Sequence, residues 1–309
     1  MENDKIALSQ LGDLEEKKLL KAERKKVSFI NILWKEIWAD KLAFVALIIF
    51  VGVVITSFVW SLFINSEEAV RIDLRNQNQA PSAEHVLGTD NGGRDVLEMM
   101  VLGSRNSLGI AFAVTFLVAL IGILVGVFTG FYGGRVDNIV MRIVDTFSMI
   151  PFLMVVIVVI FVFGWTLVLF ISTMTIFGWM GTARTIRARA LQQGRLDYVS
   201  ASKTLGTPNI IIIFREVIPN LVAIISTILT LSLANNIGLE VGLTFLGFGF
   251  PPGTPSLGTL LGLAATPIVM EHRMWQWLPP ALLILLLALC VNFVSQAVNR
   301  AADARQRLV

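Results

Sequence analysis

Charge is what this chain has least of. Only 15% of its 309 residues are Asp, Glu, Lys or Arg, against 55% hydrophobic, and the mean hydropathy is +0.74. A water-soluble domain needs charged side chains to cover its surface, so that class is excluded. Cysteine is nearly absent. Cys290 stands alone in an apolar run, which rules out a disulfide framework and a zinc cage. His85 and His272 lie far apart in sequence and read as polar loop residues, not as a metal site. A phosphate cradle is missing too: Ser202-Lys203-Thr204 lacks the preceding glycine and the Gly-rich approach. No Ser/His/Asp or paired-carboxylate arrangement forms a site, so the chain reads as non-catalytic, with no cofactor of its own. The net charge is a modest +3. Its bases flank apolar runs without interleaved aromatics, which argues against nucleic acid as a partner.

What the chain has is long apolar runs, and they make a lipid bilayer its solvent. Six spans are expected, about Leu42–Ile64, Ser107–Phe131, Thr146 to Gly164, Trp165–Trp179, Leu221–Leu243 and Leu278–Ser295. The fold class is all-α integral membrane with six transmembrane helices. Residues 1–41 read as a cytoplasmic tail, charged up to residue 27 and ending in an amphipathic helix. In that helix Phe29, Ile30, Leu33, Trp34, Ile37 and Trp38 recur at helical spacing. It either lies in the inner interface or extends the first span into the cytosol. Residues 42–106 hold the first span and an outer loop, and 107–309 the core. Gly122, Gly126 and Gly130 recur every fourth position, leaving one face of the second span bare for close helix packing. Residues 133–145 read as a loop, and Pro151 as a kink in the third span. Gly164 and Trp165 mark an outer turn. The Gly/Pro-rich stretch after Leu246 leads to a segment that re-enters or lies in the interface.

The most polar part of the C-terminal half is the loop 184–220. Tyr198, Ala201, Ser202 and Leu205 would share one helical face, with Ser200, Ala201 and Ser202 small enough for close approach. Gly206 should end this helix, and Thr207-Pro208 should begin a second as N-cap and first residue. Pro219 should break the chain before the fifth span. Two readings stand: a helix docking into a groove of another protein, or a solvated connection. Asn235, Asn236 and Glu240 near the outer end of the fifth span line a pathway or gate, or else snorkel to the headgroups. The outer segment Gly88-Thr89-Asp90, then Gly93-Arg94-Asp95, lacks calcium-loop spacing and reads as a Gly-rich turn before a helix.

Taken together, these motifs resemble one family. Leu87 to Val96 match an outer LGTD-x-x-GRDV element. Gly134, Asp137, Met141, Arg142 and Asp145 match a run into a proline-containing span, and Trp179, Arg184 and Arg187 a segment before the polar loop. Ala201, Gly206, Ile218, Pro219 and Asn220 match the coupling-loop signature, with Ser200 in place of its Glu and Ser202 in place of its second Ala. Glu240, Leu243 to Gly247 and Gly249 match a further element. Pro255, Ser256 and Gly258 match another, with Leu257 replacing a Trp. A closing pattern keeps Asn292 and Asp303 but has Ser295-Gln296 for Gly-Asp. The chain resembles the second permease subunit of oligopeptide, dipeptide and nickel importers of the ABC family, from about residue 35 to 305.

That resemblance implies a type I ABC importer permease fold in the bacterial plasma membrane. It implies transport of peptide substrates, with ATP and Mg bound by partners and not by this chain. Expected partners are a sister permease, two ABC ATPase subunits and an extracellular solute-binding protein. The coupling residues would be Tyr198, Ser200, Ala201, Ser202, Leu205, Gly206 and Pro219. A dipeptide or nickel importer is the nearest alternative. A stand-alone channel or ion-coupled carrier is the distant one, and the lack of a charge deep in any span speaks against it.

Lys and Arg concentrate in the N-terminal tail, at 133–145, at 182–220 and in the C-terminal tail, which puts both termini in the cytoplasm. On intact cells an impermeant thiol reagent should therefore label a cysteine at Asn78 and spare one at Gln193. The reverse pattern would overturn this orientation.

Overall fold

The computed structural model describes residues 29–307. Among them the architecture is helical throughout, with one isolated β-bridge between Thr89 and Asp95. The helices are α1 (Phe29–Ala39), α2 (Lys41–Trp60), α3 (Ser66–Ala69), α4 (Val96–Tyr132), α5 (Gly134–Ser148), α6 (Phe152–Phe163) and α7 (Leu167–Gln193). There follow α8 (Asp197–Thr204), α9 (Asn209–Ile212), α10 (Ile218–Phe245), α11 (Leu257–Ala264), α12 (Pro267–His272) and α13 (Met274–Arg307).

Five helices are long and apolar enough to cross a bilayer by themselves: α2, α4, α7, the continuous run Asn209–Phe245, and α13. The sixth crossing is a bent pair, α5 and α6, which meet at 72°. Several expected boundaries move. Residues 134–148 are helix, not loop; four charged residues depress their hydropathy, yet Asp137, Met141 and Val144 share a buried face. Pro151 does not kink a continuous span. It stands at the N-cap of α6 with extended ψ of 116°, because its ring offers no N–H to a preceding turn. At 12 residues α6 is about 18 Å long, well short of a 30 Å core. The second span begins at Val96, where the Asp95 carboxylate accepts from the Leu97 and Glu98 amides. The fourth continues well past Trp179 to Gln193, so residues 184–193 are helix and not loop. The first span ends at Trp60. The Gly164 turn is as expected, with φ of +74°.

Pro219 also behaves differently from expectation. The chain does not break there; it stays helical through a π-turn over Ile213–Val217. Within it the Ile218 amide donates five residues back, to the Ile213 carbonyl. The widened turn makes room for a ring that would otherwise strike the carbonyl four residues before it. Thr207 does not cap α9 either. Pro208 holds the N-cap position and Asn209 begins the helix, without a side-chain cap bond.

The glycine face of α4 packs against α7. A Cβ on Gly122 would lie 2.6 Å from Thr182 Cβ, one on Gly126 2.6 Å from the Ala183 carbonyl oxygen, and one on Gly130 2.5 Å from that of Arg187. Gly178 returns the favour from α7, closing on Val118. Below this seam Val127, Phe131, Ile186, Ala190, Val199, Ile212, Ile213, Val217 and Leu221 form the inner core. Above it Ile110, Val114, Val118, Val156, Phe170 and Met174 form the outer one. Helix α1 buries Phe29 and Ile32 against Ala223 of α10 and Ala301 and Ala302 of α13. Its opposite stripe, Ile30, Trp34 and Trp38, stays open. Asp40 caps α2 and pairs with Arg300. The tail before residue 29 lies outside the described residues.

Leucine at Gly126 should drive α4 and α7 apart. The first added carbon already meets backbone, and overpacking of this kind costs at least about 1–3 kcal/mol. Membrane abundance of the Gly126→Leu variant should fall severalfold by immunoblot; wild-type abundance and transport would show that the seam tolerates bulk.

Candidate functional site

The inner end of the molecule is built on α7. Its Arg184 donates to Asp145 at 2.9 Å and to the Ser148 hydroxyl at 2.8 Å, and Arg187 pairs with Asp137. These pairs tie α5 to the projecting end of α7. Sequence patterns miss them because the partners lie in separate segments.

After Gly194 the chain turns and α8 follows. The expected common face splits in two. Val199, fully buried, anchors the helix in the inner core beside Ile186 and Ile212. Ser202 turns inward and donates to Glu216 at 2.6 Å. Tyr198 is half-buried, donating to Gln193 at 2.8 Å and accepting from Asn220 at 3.3 Å. Burial pushes its phenol above the ordinary range, so it remains a donor at neutral pH. Lys203 lies over the Phe131 ring at 4.7 Å. Ser200, Ala201 and Leu205 face outward, and Leu205 is 85% exposed. Gly206 ends the helix with φ of +78°, as its residue type predicts. Ile210, Ile211, Phe214 and Arg215 then line a shallow open hollow. A rigid helix with an apolar edge and a basic rim can hold another protein surface. It has no group placed for bond chemistry, and no cluster of metal-ligating side chains occurs among the described residues.

The outer candidates separate as well. Asn235 is exposed. Asn236 is buried and donates to Thr115 at 2.9 Å across the α4–α10 contact. Glu240 has no exposed surface and accepts from Thr244 at 3.0 Å. Glu240 and Asn236 thus point into the packed interior of this chain and do not snorkel; Asn235 alone of the three is open.

The outer motif is more than a turn. Asp90 accepts from the Gly92 and Arg94 amides at 2.7 and 3.0 Å and from Arg94 Nε at 2.8 Å. Gly88 and Gly93 take φ of +69° and +77°. The Thr89 hydroxyl donates to the Asn76 carbonyl, and Asp95 pairs with His85 at 2.8 Å. Gln276 and Trp275 both donate to the Thr89 carbonyl, so the loop is docked on the start of α13.

An all-helical chain with these spans, a docking helix on one side and a folded loop on the other is a membrane transport subunit without catalytic machinery. Comparison with known proteins gives the family. Residues 122–308 match the model for the binding-protein-dependent transport system inner membrane component, and the chain belongs to that family. It is 42% identical over 291 residues to the oligopeptide transport system permease protein OppC of Lactococcus lactis subsp. cremoris (strain SK11), covering 93% of this chain and 98% of that protein. Against OppC of Bacillus subtilis (strain 168) the identity is 34% over 307 residues, 97% of this chain and 96% of the relative. The dipeptide transport system permease protein DppC of the same organism is 32% identical over 289 residues, 92% of this chain and 88% of the relative.

Removing the Ser202–Glu216 bond should loosen α8 without unfolding the membrane core. Ser202→Ala loses about 1 kcal/mol, so amide exchange in α8 should quicken roughly fivefold. Unchanged exchange there would mean that Val199 alone holds the helix.

Proposed function

We propose that this chain forms one half of the translocation path of an ATP-driven oligopeptide importer. A sister permease supplies the other half. Two separate ATPase subunits bind ATP and Mg, and an extracellular solute-binding protein delivers the peptide. Both termini and the 182–220 region face the cytoplasm. Helix α8 and the turn after it are the surface on which an ATPase subunit docks. The observation that carries this reading is the exposed apolar edge of Leu205, Ile210, Ile211 and Phe214 on an element rooted in the inner core through Val199. A movement imposed on so rigid an element passes to α4, α7 and α10 instead of being absorbed. The oligopeptide relatives support the substrate class.

Ala201→Asp places an unpaired charge on the outward edge of α8, worth about 1–3 kcal/mol if a partner covers it. Uptake of a labelled oligopeptide should collapse while the isolated solute-binding protein binds peptide normally. The purified complex should lose its ATPase subunits, or lose their stimulation by loaded binding protein. An Ala201→Asp complex that keeps both and transports at the wild-type rate would show that α8 is not the coupling element.

A further inference from the structure

The loop from Leu246 to Ser256 joins α10 to α11 on the outer side and carries Pro251, Pro252 and Gly253 at its tip. Its two ends lead back to one buried side chain. At the first end the Phe250 amide donates to the Thr244 hydroxyl at 3.2 Å, and that hydroxyl donates onward to Glu240 at 3.0 Å. At the second end the Leu257 amide, first of α11, donates to the Ser107 hydroxyl of α4 at 3.1 Å. Ser107 in turn lies within hydrogen-bonding reach of the same Glu240 carboxyl. Each hydroxyl accepts from a loop-end amide and has its one proton left for Glu240.

The packing around this hub leaves no slack. A Cβ on Gly249 would fall 1.8 Å from the Thr244 hydroxyl, and one on Gly258 2.6 Å from Thr244 Cβ. Ser256 is fully buried and closes a capping box with Thr259, while Asn106 of α4 donates to the Pro255 carbonyl at 2.8 Å. Pro252 and Gly253 between these fixed ends are exposed. The second carboxyl oxygen of Glu240 is buried without a partner, so a structural role satisfied by Thr244 alone would not require a carboxyl here.

We propose that Glu240 is a positioning residue, the common acceptor that latches both ends of the outer loop 246–256 and so fixes where its Pro-rich tip stands. The latch rests on the transport reading only for its consequence: a loosened tip presents a variable outer surface, and uptake falls. Its geometry stands apart from what is carried.

The test is a spin label on Pro252→Cys, in a Cys290→Ser background, in the complete transporter in lipid vesicles. Glu240→Leu should mobilise the label, and Glu240→Gln, which keeps an acceptor oxygen, should leave it restricted. Losing one such bond should favour the released loop roughly tenfold. Thr244→Val keeps the side-chain shape and removes the relay, so it should mobilise the label even if Glu240→Leu fails to assemble. Line shapes in Thr244→Val equal to those with Thr244 intact would overturn the proposal, as would Glu240→Gln behaving like Glu240→Leu. A mobile label with oligopeptide uptake absent in every form, wild type included, would leave the latch standing and sink the oligopeptide reading.

Discussion

Everything in this molecule hangs on how closely α4 and α7 approach. Their contact runs through Gly122, Gly126 and Gly130, each so near the facing helix that a single methyl would collide with it. Lipid offers no hydrophobic gain for bringing two apolar helices together, so association relies on dispersion between closely fitted surfaces. Glycine supplies that fit by removing the side chain. The seam continues to the inner end, where Gly130 meets the Arg187 carbonyl and Ala190. From there α7 projects, and α8 is set upon it.

The same logic explains why the inner surface is firm although it carries polar residues. Val199, Ile186, Ala190, Ile212 and Val217 form one core, so α8 shares its buried side with three long helices. Hydrogen bonds at Ser202 and Tyr198 fix its rotation. The π-turn before Pro219 keeps that core joined to α10 through unbroken helix. A proline expected to uncouple the loop from the fifth span instead sits in a continuous helical run of 37 residues. The outer side is built on a different principle. There, short polar relays around Asp90 and Glu240 hold loops against helix ends, and few apolar contacts are needed.

Much of this could be read from residue types. The spans, the glycine seam, the Gly206 stop and the turn at Gly164 follow from local preferences that act over a few residues. What could not be read depends on distant partners. Residues 134–148 looked like a loop because Arg135, Asp137, Arg142 and Asp145 are charged. Two of those charges are matched by Arg184 and Arg187, some 40 to 50 positions on. Glu240 looked like a surface carboxyl because it stands near a span end. Its burial comes from Ser107 and from the returning loop, neither of which is local. Leu205 was placed on the contact face correctly, but Tyr198 and Ser202 beside it turned inward, because Glu216 and Asn220 draw them there.

The central claim is that α8 and the turn after it meet an ATP-binding subunit. It is tested most directly by a cysteine at Leu205, the most open apolar residue of that region. In membranes holding the whole transporter, a short bifunctional thiol–amine cross-linker should join it to a copurifying ATP-binding protein, and nucleotide should change the yield. A Leu205→Cys chain that stays uncoupled from any such protein, in a transporter that still imports peptide, would contradict the account.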